Sequence, residues 1–324
     1  RVIILDEPTS GFSLEQKKKV FETLKILSQK GFTIILVSHK IEEILEICSK
    51  ATVMQRGKIL ESIDLPTEPE NLINLMFGPQ NFKYNKSPSI SEIYKSPKII
   101  LDISDFNKES ENSFADSTHS IQVPQNIIVG VAGLQGSGAD KFIRNFQITS
   151  NNISLEDNPH ITKLNTTYVP ADRLEKGLFP DMTIKEHIAL TYNKKRTIDW
   201  EEMRKLTESL IDKFGIIGNP NSVAKTLSGG NQQRLMLSLI PESTELLLLE
   251  QPTRGLDIQS SNYIWDTLKE TKKSKTLTMF SSTDIDEIYG YSEYIICFFN
   301  NKIVDYGYPT HLTRDVTMQK ISGN

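Results

Sequence analysis

Two copies of one sequence pattern lie 244 residues apart: Leu5-Asp6-Glu7-Pro8-Thr9-Ser10-Gly11 and Leu249-Glu250-Gln251-Pro252-Thr253-Arg254-Gly255. An apolar run precedes each copy, Val2–Leu5 in the first and Leu246–Leu249 in the second. The same offset relates Ser38 to Ser282, Glu43 to Glu287 and Lys58-Ile59 to Lys302-Ile303. Agreement over that length indicates an internal repeat, whose first copy lacks its front half.

The composition is that of an ordinary globular protein with about two domains. The chain has 324 residues, 38% apolar residues and a formal net charge of -4, which gives no overall basic field for nucleic acid. No apolar run reaches the roughly 18–20 residues of a membrane span, so we expect any membrane role to be peripheral. Cys48 and Cys297 have no neighbours at metal-ligand spacing, and we expect two buried, reduced thiols in a cytosolic protein.

Apolar runs alternate with helical patterns, which predicts a parallel α/β layer. The predicted strands are Val2–Leu5, Thr33–Val37, Ile99–Ile103, Ser120–Val131 and Leu246–Leu249, and the predicted helices are Ser13–Gln29, Ile41–Cys48 and Trp200–Phe214. A stretch rich in Pro, Asn, Ser and Lys predicts a linker at residues 79–97. It would separate the C-terminal part of a first domain, residues 1–78, from a second domain, residues 98–324.

The apolar run at the start of the chain, Val2–Leu5, is typical of a buried parallel strand. Such a strand needs neighbours on both sides. We therefore expect the start of this chain to be a cut inside a domain, whether natural or artificial.

Polar residues follow two of the predicted strands: Asp6 and Glu7 end the first, and His39 follows the second. The carboxyl ends of parallel strands meet at one edge of a sheet, so these groups are expected to share a crevice. There one carboxylate would hold Mg²⁺ and the other would activate a water that attacks a phosphate. The alternatives are a solvated strand end for Asp6-Glu7 and a helix-capping Ser38 with an incidental His39.

The segment Leu227-Ser228-Gly229-Gly230-Asn231-Gln232-Gln233-Arg234 has small residues that let a helix N-terminus approach a γ-phosphate. It resembles the signature motif of ATP-binding cassette (ABC) ATPases. Leu5–Thr9 resembles their Walker B motif with its catalytic glutamate, and His39 resembles their switch histidine. Gln232-Gln233, Gln251–Asp257 and Tyr168–Arg173 leading to Gly177-Leu178 are similar to the double-cassette subunits of importers for simple sugars and nucleosides. Gln251, at the position of the catalytic Glu, makes this chain resemble the nucleoside branch of that group more than the ribose or galactose branch.

This resemblance covers nearly the whole chain, and it implies an α/β fold. The expected architecture is a P-loop NTPase cassette with a parallel core sheet, an antiparallel β-subdomain and a helical subdomain, used in tandem with the first copy incomplete. The implied cofactors are ATP and Mg²⁺, with Glu7 and His39 catalytic and Asp6 holding Mg²⁺ directly or through water. ATP hydrolysis would drive import of nucleosides or simple sugars.

The resemblance also implies partners and a location. We expect two integral membrane permease subunits, an extracytoplasmic substrate-binding protein acting indirectly, and no nucleic acid. The protein would lie at the cytoplasmic face of the plasma membrane. The apolar cluster Leu178-Phe179-Pro180 and Met182 would either receive a coupling segment of a permease or fill the core of the helical subdomain.

Cassettes of this kind pair head to tail, so that each ATP lies between the Walker motifs of one domain and the signature of the other. By this resemblance Glu7 and His39 would share one ATP with a set of signature residues from the second domain. That set comprises Ser228, Gly229, Gly230 and Gln232.

The second copy departs from the family pattern at every chemical group of its own site. Gly133, Gly136 and Gly138 are the glycines of a phosphate-cradling loop, but Ala139 stands where Lys belongs and Asp140 where Ser or Thr belongs. Glu250 replaces the Walker B Asp, Gln251 the catalytic Glu, and Thr283 the His. A carboxylate about 4 Å from a phosphate would oppose binding by on the order of 4 kcal/mol at an effective dielectric near 20. We therefore expect weak nucleotide binding and poor hydrolysis there.

In the intact copy, one departure is Ser13, which stands where the repeat has Asp257 and puts tight coupling between the two sites in question. Two other functions stay open. One is a soluble paired-cassette ATPase acting on ribosomes or DNA, although such proteins usually keep both phosphate loops and have a basic helical linker. The other is a non-functional gene fragment, which a reading frame continuing upstream into a GxxGxGK[ST] loop would exclude.

Overall fold

The computed structural model describes most of the chain and divides it into two units. The described residues are 1–9, 12, 14–38, 41–55, 57–77, 98–103, 120–148, 153–155, 164–256, 258–271 and 277–323. The first unit comprises residues 1–86 and 257–259, and the second comprises residues 87–256 and 260–324. The predicted linker, residues 79–97, lies outside the described residues. Within the described ranges, no helix combines the length and apolar character needed to cross a membrane.

The first unit alternates strands and helices and then ends in a hairpin and a helix. Its elements are β1 (Val2–Asp6), α1 (Leu14–Gln29), β2 (Thr33–Val37), α2 (Ile41–Ile47), β3 (Lys50–Gln55), β4 (Lys58–Asp64) and α3 (Pro69–Phe77). β1 and β2 are parallel, with Val2 opposite Thr33 and Asp6 opposite Val37. β3 and β4 are antiparallel, and Ala51, Val53 and Leu72 form a small core where α3 covers this hairpin.

The second unit begins with strands and a glycine-rich turn and continues through a helical region. Its elements up to residue 238 are β5 (Lys98–Asp102), β6 (Ser120–Pro124), β7 (Ile128–Gly133), α4 (Ala139–Ile148), β8 (Ile153–Leu155), β9 (Thr166–Val169), α5 (Ile184–Tyr192), α6 (Trp200–Phe214) and α7 (Gly229–Ser238). The remaining elements are β10 (Leu246–Glu250), α8 (Ile258–Thr271), β11 (Leu277–Ser282), α9 (Ile285–Tyr291), β12 (Tyr294–Phe299), β13 (Lys302–Gly307) and α10 (Arg314–Ser322).

Two sheets organise the described part of the second unit. The larger has six strands in the order β13-β12-β7-β11-β10-β9, all parallel except the β12–β13 pair. The smaller is antiparallel, in the order β6-β5-β8. With the packed pair α5 and α6, these sheets confirm the predicted parallel core, antiparallel β-subdomain and helical subdomain.

Side chains on alternate positions of the large sheet fill two cores, one on each face. Leu247 and Leu249 of β10 pack on the face that also carries Trp265 of α8. Leu246 and Leu248 pack on the other face, against Phe142 and its neighbours in α4. The period of two in a strand therefore accounts for an entirely apolar run, because both faces are covered.

The expectation that the run Val2–Leu5 is buried is wrong for the described structure. The strand is parallel, but Val2 and Ile4 are 61% and 69% exposed. Their repeat equivalents, Leu246 and Leu248, are fully buried under α4. The difference arises because, among the described residues of the first unit, β1 pairs with β2 alone and no counterpart of α4 covers this face.

Two smaller expectations also need correction. The predicted single strand Ser120–Val131 is two strands, because the left-handed backbone of Asn126 (φ 62°) interrupts it and places β6 and β7 in different sheets. Of the two cysteines, Cys297 is buried as expected, whereas Cys48 is partly exposed at the end of α2. Both are free thiols.

Candidate functional site

The end of β1 presents two exposed carboxylates, those of Asp6 and Glu7. Glu7 has a left-handed backbone (φ 43°), and its N–H donates to the Val37 carbonyl oxygen of β2 at 2.8 Å. Such a backbone costs a non-glycine residue about 1–3 kcal/mol, so surrounding contacts must hold it. The predicted partner His39 lies outside the described residues, as do Ser13 and Asp257.

The loop after Glu7 is fixed by the buried carboxylate of Glu43, on α2. The Thr9 hydroxyl donates to this carboxylate and lies 2.7 Å from both of its oxygens. The Ser38 hydroxyl, at the end of β2, donates to the same group at 3.3 Å, and Lys17 Nζ of α1 lies 3.5 Å from it. One carboxylate therefore joins the ends of β1 and β2 to two helices.

The second copy reproduces this geometry at the constant offset. Gln251 has the same left-handed backbone (φ 45°), and its N–H donates to the Ser281 carbonyl oxygen at 3.0 Å. The carboxylate of Glu287 accepts from Thr253 at 2.5 Å and from Ser282 at 2.6 Å. The internal repeat inferred from the sequence is thus a repeat of hydrogen bonds as well as of residues.

The glycine-rich turn between β7 and α4 is the segment that the sequence predicts to be a degenerate phosphate-cradling loop. Gly136 and Gly138 have left-handed backbones, with φ 82° and 102°. A Cβ atom at Gly133 would lie 2.2 Å from Ser137 Oγ, and one at Gly138 would lie 2.8 Å from Asn301 Cα. Close packing at Gly133 and Gly138 and the left-handed backbone at Gly136 therefore account for these glycines, although the lysine is replaced by the buried Ala139.

The side chains that replace the usual groups of this site bind one another. The Asp140 carboxylate accepts from the Gln251 amide at 3.0 Å and from the Ser281 hydroxyl at 2.6 Å. The Glu250 carboxylate accepts from Arg144 of α4 at 3.0 Å and from the Tyr168 hydroxyl. Burial and the adjacent Glu250 raise the pKa of Tyr168.

These contacts bear directly on metal and phosphate binding in the second unit. The carboxylate oxygens of Asp140 and Glu250 already accept hydrogen bonds from four protein groups. One of these groups is the guanidinium of Arg144, which contacts Glu250. Mg²⁺ needs oxygen ligands that are free to coordinate, so this donor set does not fit it. Thr283, at the position equivalent to His39, is partly exposed.

In the first unit, Asp6 supplies the kind of donor that Mg²⁺ prefers, a carboxylate oxygen at an exposed strand end. Among the described residues, no group of three or more His, Cys, Asp or Glu side chains is arranged to hold a metal ion by itself. A metal at Asp6 would therefore need further ligands, such as water and phosphate oxygens.

The signature-like segment forms the N-terminus of α7, as predicted. Ser228 is the N-cap and accepts from the N–H of Asn231, so Gly229 and Gly230 are the first two residues of the helix. The Gln232 side chain is buried and donates to the carbonyl oxygens of Leu227 (3.0 Å) and Ala224 (3.3 Å). The side-chain amide nitrogen of Gln232 therefore supports the start of the helix.

Arg173 is a residue of this region that motif analysis did not single out. Its Nε donates to the Gln233 side chain at 3.2 Å, and its Nη2 donates to the Arg254 carbonyl oxygen. Burial and the nearby Arg254 lower the pKa of Arg173. The only sequence signal was its place at the end of Tyr168–Arg173, because both partners lie 60 or more positions away.

Arg173 and Arg254 also line a cavity of about 570 Å³ in the second unit. The cavity extends from the strand end at Glu250 to the start of α7, and its lining includes Lys176 and Gln232. It lies beside the substituted site and contains charges of both signs, since Asp172 also contributes to it.

The apolar cluster at the start of the helical subdomain divides between core and surface. Leu178 is buried, whereas Phe179 is 59% exposed. The Phe179 N–H donates to Nε2 of the buried His187 at 2.9 Å, and His187 Nδ1 contacts the Thr183 carbonyl oxygen at 2.8 Å. Burial lowers the pKa of His187, which favours the neutral ring that can accept this bond.

Comparison with known proteins places the chain in a family. The profile described as ABC transporter matches residues 117–254. The chain is 30% identical to the nucleoside import ATP-binding protein NupA of Lactococcus lactis subsp. cremoris (strain MG1363), covering 100% of this chain and 67% of that protein. It is 28% identical to the ribose import ATP-binding protein RbsA of Bacillus subtilis (strain 168), covering 93% of this chain and 63% of that protein. The chain thus spans about two thirds of the length of these relatives.

Solved structures share the fold at lower identity. UvrA2 from Deinococcus radiodurans matches with a TM-score of 0.65 and 14% identity, over 99% of this chain and 52% of that one. RNase-L Inhibitor matches with a TM-score of 0.58 and 17% identity, over 90% of this chain and 57% of that one. The matched profile, the similarity to NupA along this whole chain, the repeated strand-end geometry and the signature-like helix start lead to one conclusion: the chain belongs to the ABC transporter family.

Proposed function

We propose that this chain is the ATP-hydrolysing subunit of an importer for nucleosides or simple sugars. The observation that carries the proposal is that two equivalent positions share a backbone conformation but differ in the chemistry of their side chains. Glu7 and Gln251 have nearly equal φ angles (43° and 45°), yet only the first has a carboxylate that can accept a proton. The similarity to nucleoside and ribose import proteins supports the substrate class, with nucleosides favoured because of Gln251.

In this proposal the intact groups act on one ATP. Glu7 would accept a proton from the attacking water, and His39 would contact the terminal phosphate. Asp6 would hold Mg²⁺, which neutralises phosphate charge when it is bound. The backbone N–H groups at Ser228, Gly229 and Gly230 would contact the γ-phosphate, because a helix N-terminus carries unpaired donors and a positive partial charge.

The second site would contribute little to hydrolysis. An amide at Gln251 accepts no proton from water near neutral pH. Asp140 places negative charge beside the phosphate loop and is held there by Gln251 and Ser281. We therefore propose one working ATPase site and one site whose remaining role is structural.

The membrane partners of this proposal are two permease subunits, with a substrate-binding protein outside the membrane, and the location is the cytoplasmic face of the plasma membrane. The exposed ring of Phe179 supports a contact surface on the helical subdomain. It stands beside the buried Leu178, so part of the original apolar cluster is available and part belongs to the core.

The proposal is tested with the complete gene product assembled with its permeases in proteoliposomes. We expect ATP turnover to rise when a nucleoside and the binding protein are supplied, and expect the rise to vanish in Glu7→Gln. Stimulation by ribose but not by nucleosides would reassign the substrate within the proposed class. The proposal would be contradicted by ATP turnover that does not depend on the permeases and is stimulated by DNA or ribosomes.

A further inference from the structure

Glu43 is a buried carboxylate of the first unit, and two of its partners belong to the chain segments on either side of the Glu7 backbone. Its side chain accepts from Thr9, which lies two residues after Glu7, and from Ser38, which follows Val37. Val37 is the residue whose carbonyl oxygen accepts the Glu7 N–H. Glu43 therefore ties together both chain segments that hold Glu7 in its left-handed conformation.

We propose that Glu43 is a positioning residue for the Glu7 carboxylate, acting through Thr9. This inference rests on the proposed ATPase function. Glu43 is 1% exposed and its oxygens accept from two hydroxyls beside an ammonium, so it does not reach a nucleotide itself. Its effect is to hold a strained backbone whose release would move the Glu7 side chain.

The second copy supplies an internal comparison. Glu287 holds Thr253 and Ser282 in the same way, but its remaining partner is the indole N–H of Trp265 at 3.0 Å. In the first copy the ammonium of Lys17 lies beside the carboxylate. Each copy therefore has a clamp, a buried Glu that accepts hydrogen bonds from a Thr and a Ser hydroxyl at two strand ends. We expect the clamp to affect ATP turnover only in the first copy, where the loop that it holds carries a catalytic carboxylate.

The experiment removes one hydroxyl at a time from the two clamps. Thr9→Val deletes the donor with little change in shape, and Thr9→Ser restores it; Thr253→Val and Thr253→Ser are the matched controls. ATP turnover, the KM for ATP and the thermal unfolding midpoint are measured on the complete gene product in its transporter. Because a displacement of about 1 Å at a reacting group can cost roughly 10²-fold, we expect Thr9→Val to lower kcat by about 10- to 100-fold.

The remaining variants decide between positioning and mere stability. We expect Thr9→Val to keep the KM for ATP, Thr9→Ser to recover kcat, and Thr253→Val to keep kcat while losing a similar amount of thermal stability. Equal kcat losses from Thr9→Val and Thr253→Val, or an unchanged kcat in Thr9→Val, would overturn the proposal. If Thr9→Val does not fold, Ser38→Ala removes another donor to Glu43, with Ser282→Ala as its control, and the same outcomes apply. Full activity of Glu7→Gln would instead overturn the proposed function itself.

Discussion

The side-chain amide of Gln251 donates to the carboxylate of Asp140 at 3.0 Å, across the site of the second unit. In the family pattern these two positions carry a catalytic Glu and a Ser or Thr. Their replacements have become partners of each other, and Ser281 adds a third member. The two substitutions are therefore coupled, because a Glu at position 251 would face another carboxylate.

Restoring the glutamate alone is predicted to destabilise the second unit without creating activity. Gln251→Glu would bring two carboxylates into contact, so we expect the free energy of unfolding to fall by about 1–3 kcal/mol at pH 7. The loss should shrink as the pH falls, because one carboxyl then takes up a proton. Chemical denaturation at two pH values measures this effect. The double variant Asp140→Ser/Gln251→Glu is the control, and it should regain most of the lost stability; an unchanged loss would refute the coupling.

Glu287 is predicted to make stability depend on pH. Burial raises its pKa to about 7 from the ordinary 4.5, in spite of three hydrogen-bond donors. The folded protein therefore binds more protons than the unfolded chain between these values. Its contribution to stability is fully present below pH 4.5 and is lost as the pH rises through about 7.

The matched variant for this effect is Glu287→Gln, which is neutral at every pH. Unfolding free energies measured from pH 4.5 to 7.5 should fall less steeply in this variant than in the natural protein. The greatest difference expected from one proton is about 1.4 kcal/mol per pH unit. Identical slopes would mean that Glu287 does not hold a proton in the folded state.

Two glycines of the β7–α4 turn are predicted to differ in their tolerance of alanine. Both have left-handed backbones, so each substitution costs roughly 1–2 kcal/mol. At Gly136 nothing lies within 4 Å of the new Cβ, whereas at Gly138 it would meet the Asn301 backbone at 2.8 Å. Gly138→Ala should therefore lower the thermal unfolding midpoint more than Gly136→Ala. Equal effects would argue against packing as the reason for Gly138.

The chain of residues 1–324 is predicted to be inactive by itself. Its one glycine-rich phosphate loop, Gly133–Gly138, is followed by Ala139 instead of Lys, so no ammonium is placed to neutralise the phosphates. Purified chain should show no ATP turnover above that of its Glu7→Gln variant. Robust turnover that this substitution abolishes would show that phosphate binding does not need that lysine.

Much of the fold could be predicted from periodicity and repetition. The helix Trp200–Phe214 has the predicted bounds, and in the structure Asp199 caps its start and Gly215 ends it with a left-handed backbone. The strand Thr33–Val37 also has the predicted bounds. The repeat offset relates the two strand-end motifs, and in the structure the equivalent residues Glu7 and Gln251 both have a left-handed backbone.

Other features had no local signal. The ion pair of Arg144 with Glu250 joins residues 106 positions apart, and neither residue type is unusual in its own segment. The exposure of Val2 and Ile4 depends on which elements cover the sheet, and apolar sequence does not report this. For the clamps, the sequence shows only that Glu43 and Glu287 occupy equivalent positions of the repeat. Their hydrogen bonds to Thr and Ser hydroxyls depend on the three-dimensional structure.

The central claim, that hydrolysis depends on Glu7 and not on its counterpart in the second copy, is tested most directly by steady-state ATP turnover of paired variants. The measurement uses the complete gene product assembled with its permeases, carrying either Glu7→Gln or Gln251→Ala. We predict that Glu7→Gln lowers turnover by about 10²–10⁴-fold, as expected for loss of a general base, and that Gln251→Ala changes it little. Replacing Ser228 with a bulky residue should resemble Glu7→Gln, because both are proposed to face the same nucleotide. Comparable losses from Glu7→Gln and Gln251→Ala would contradict the account, because they would mean that the two sites are equivalent.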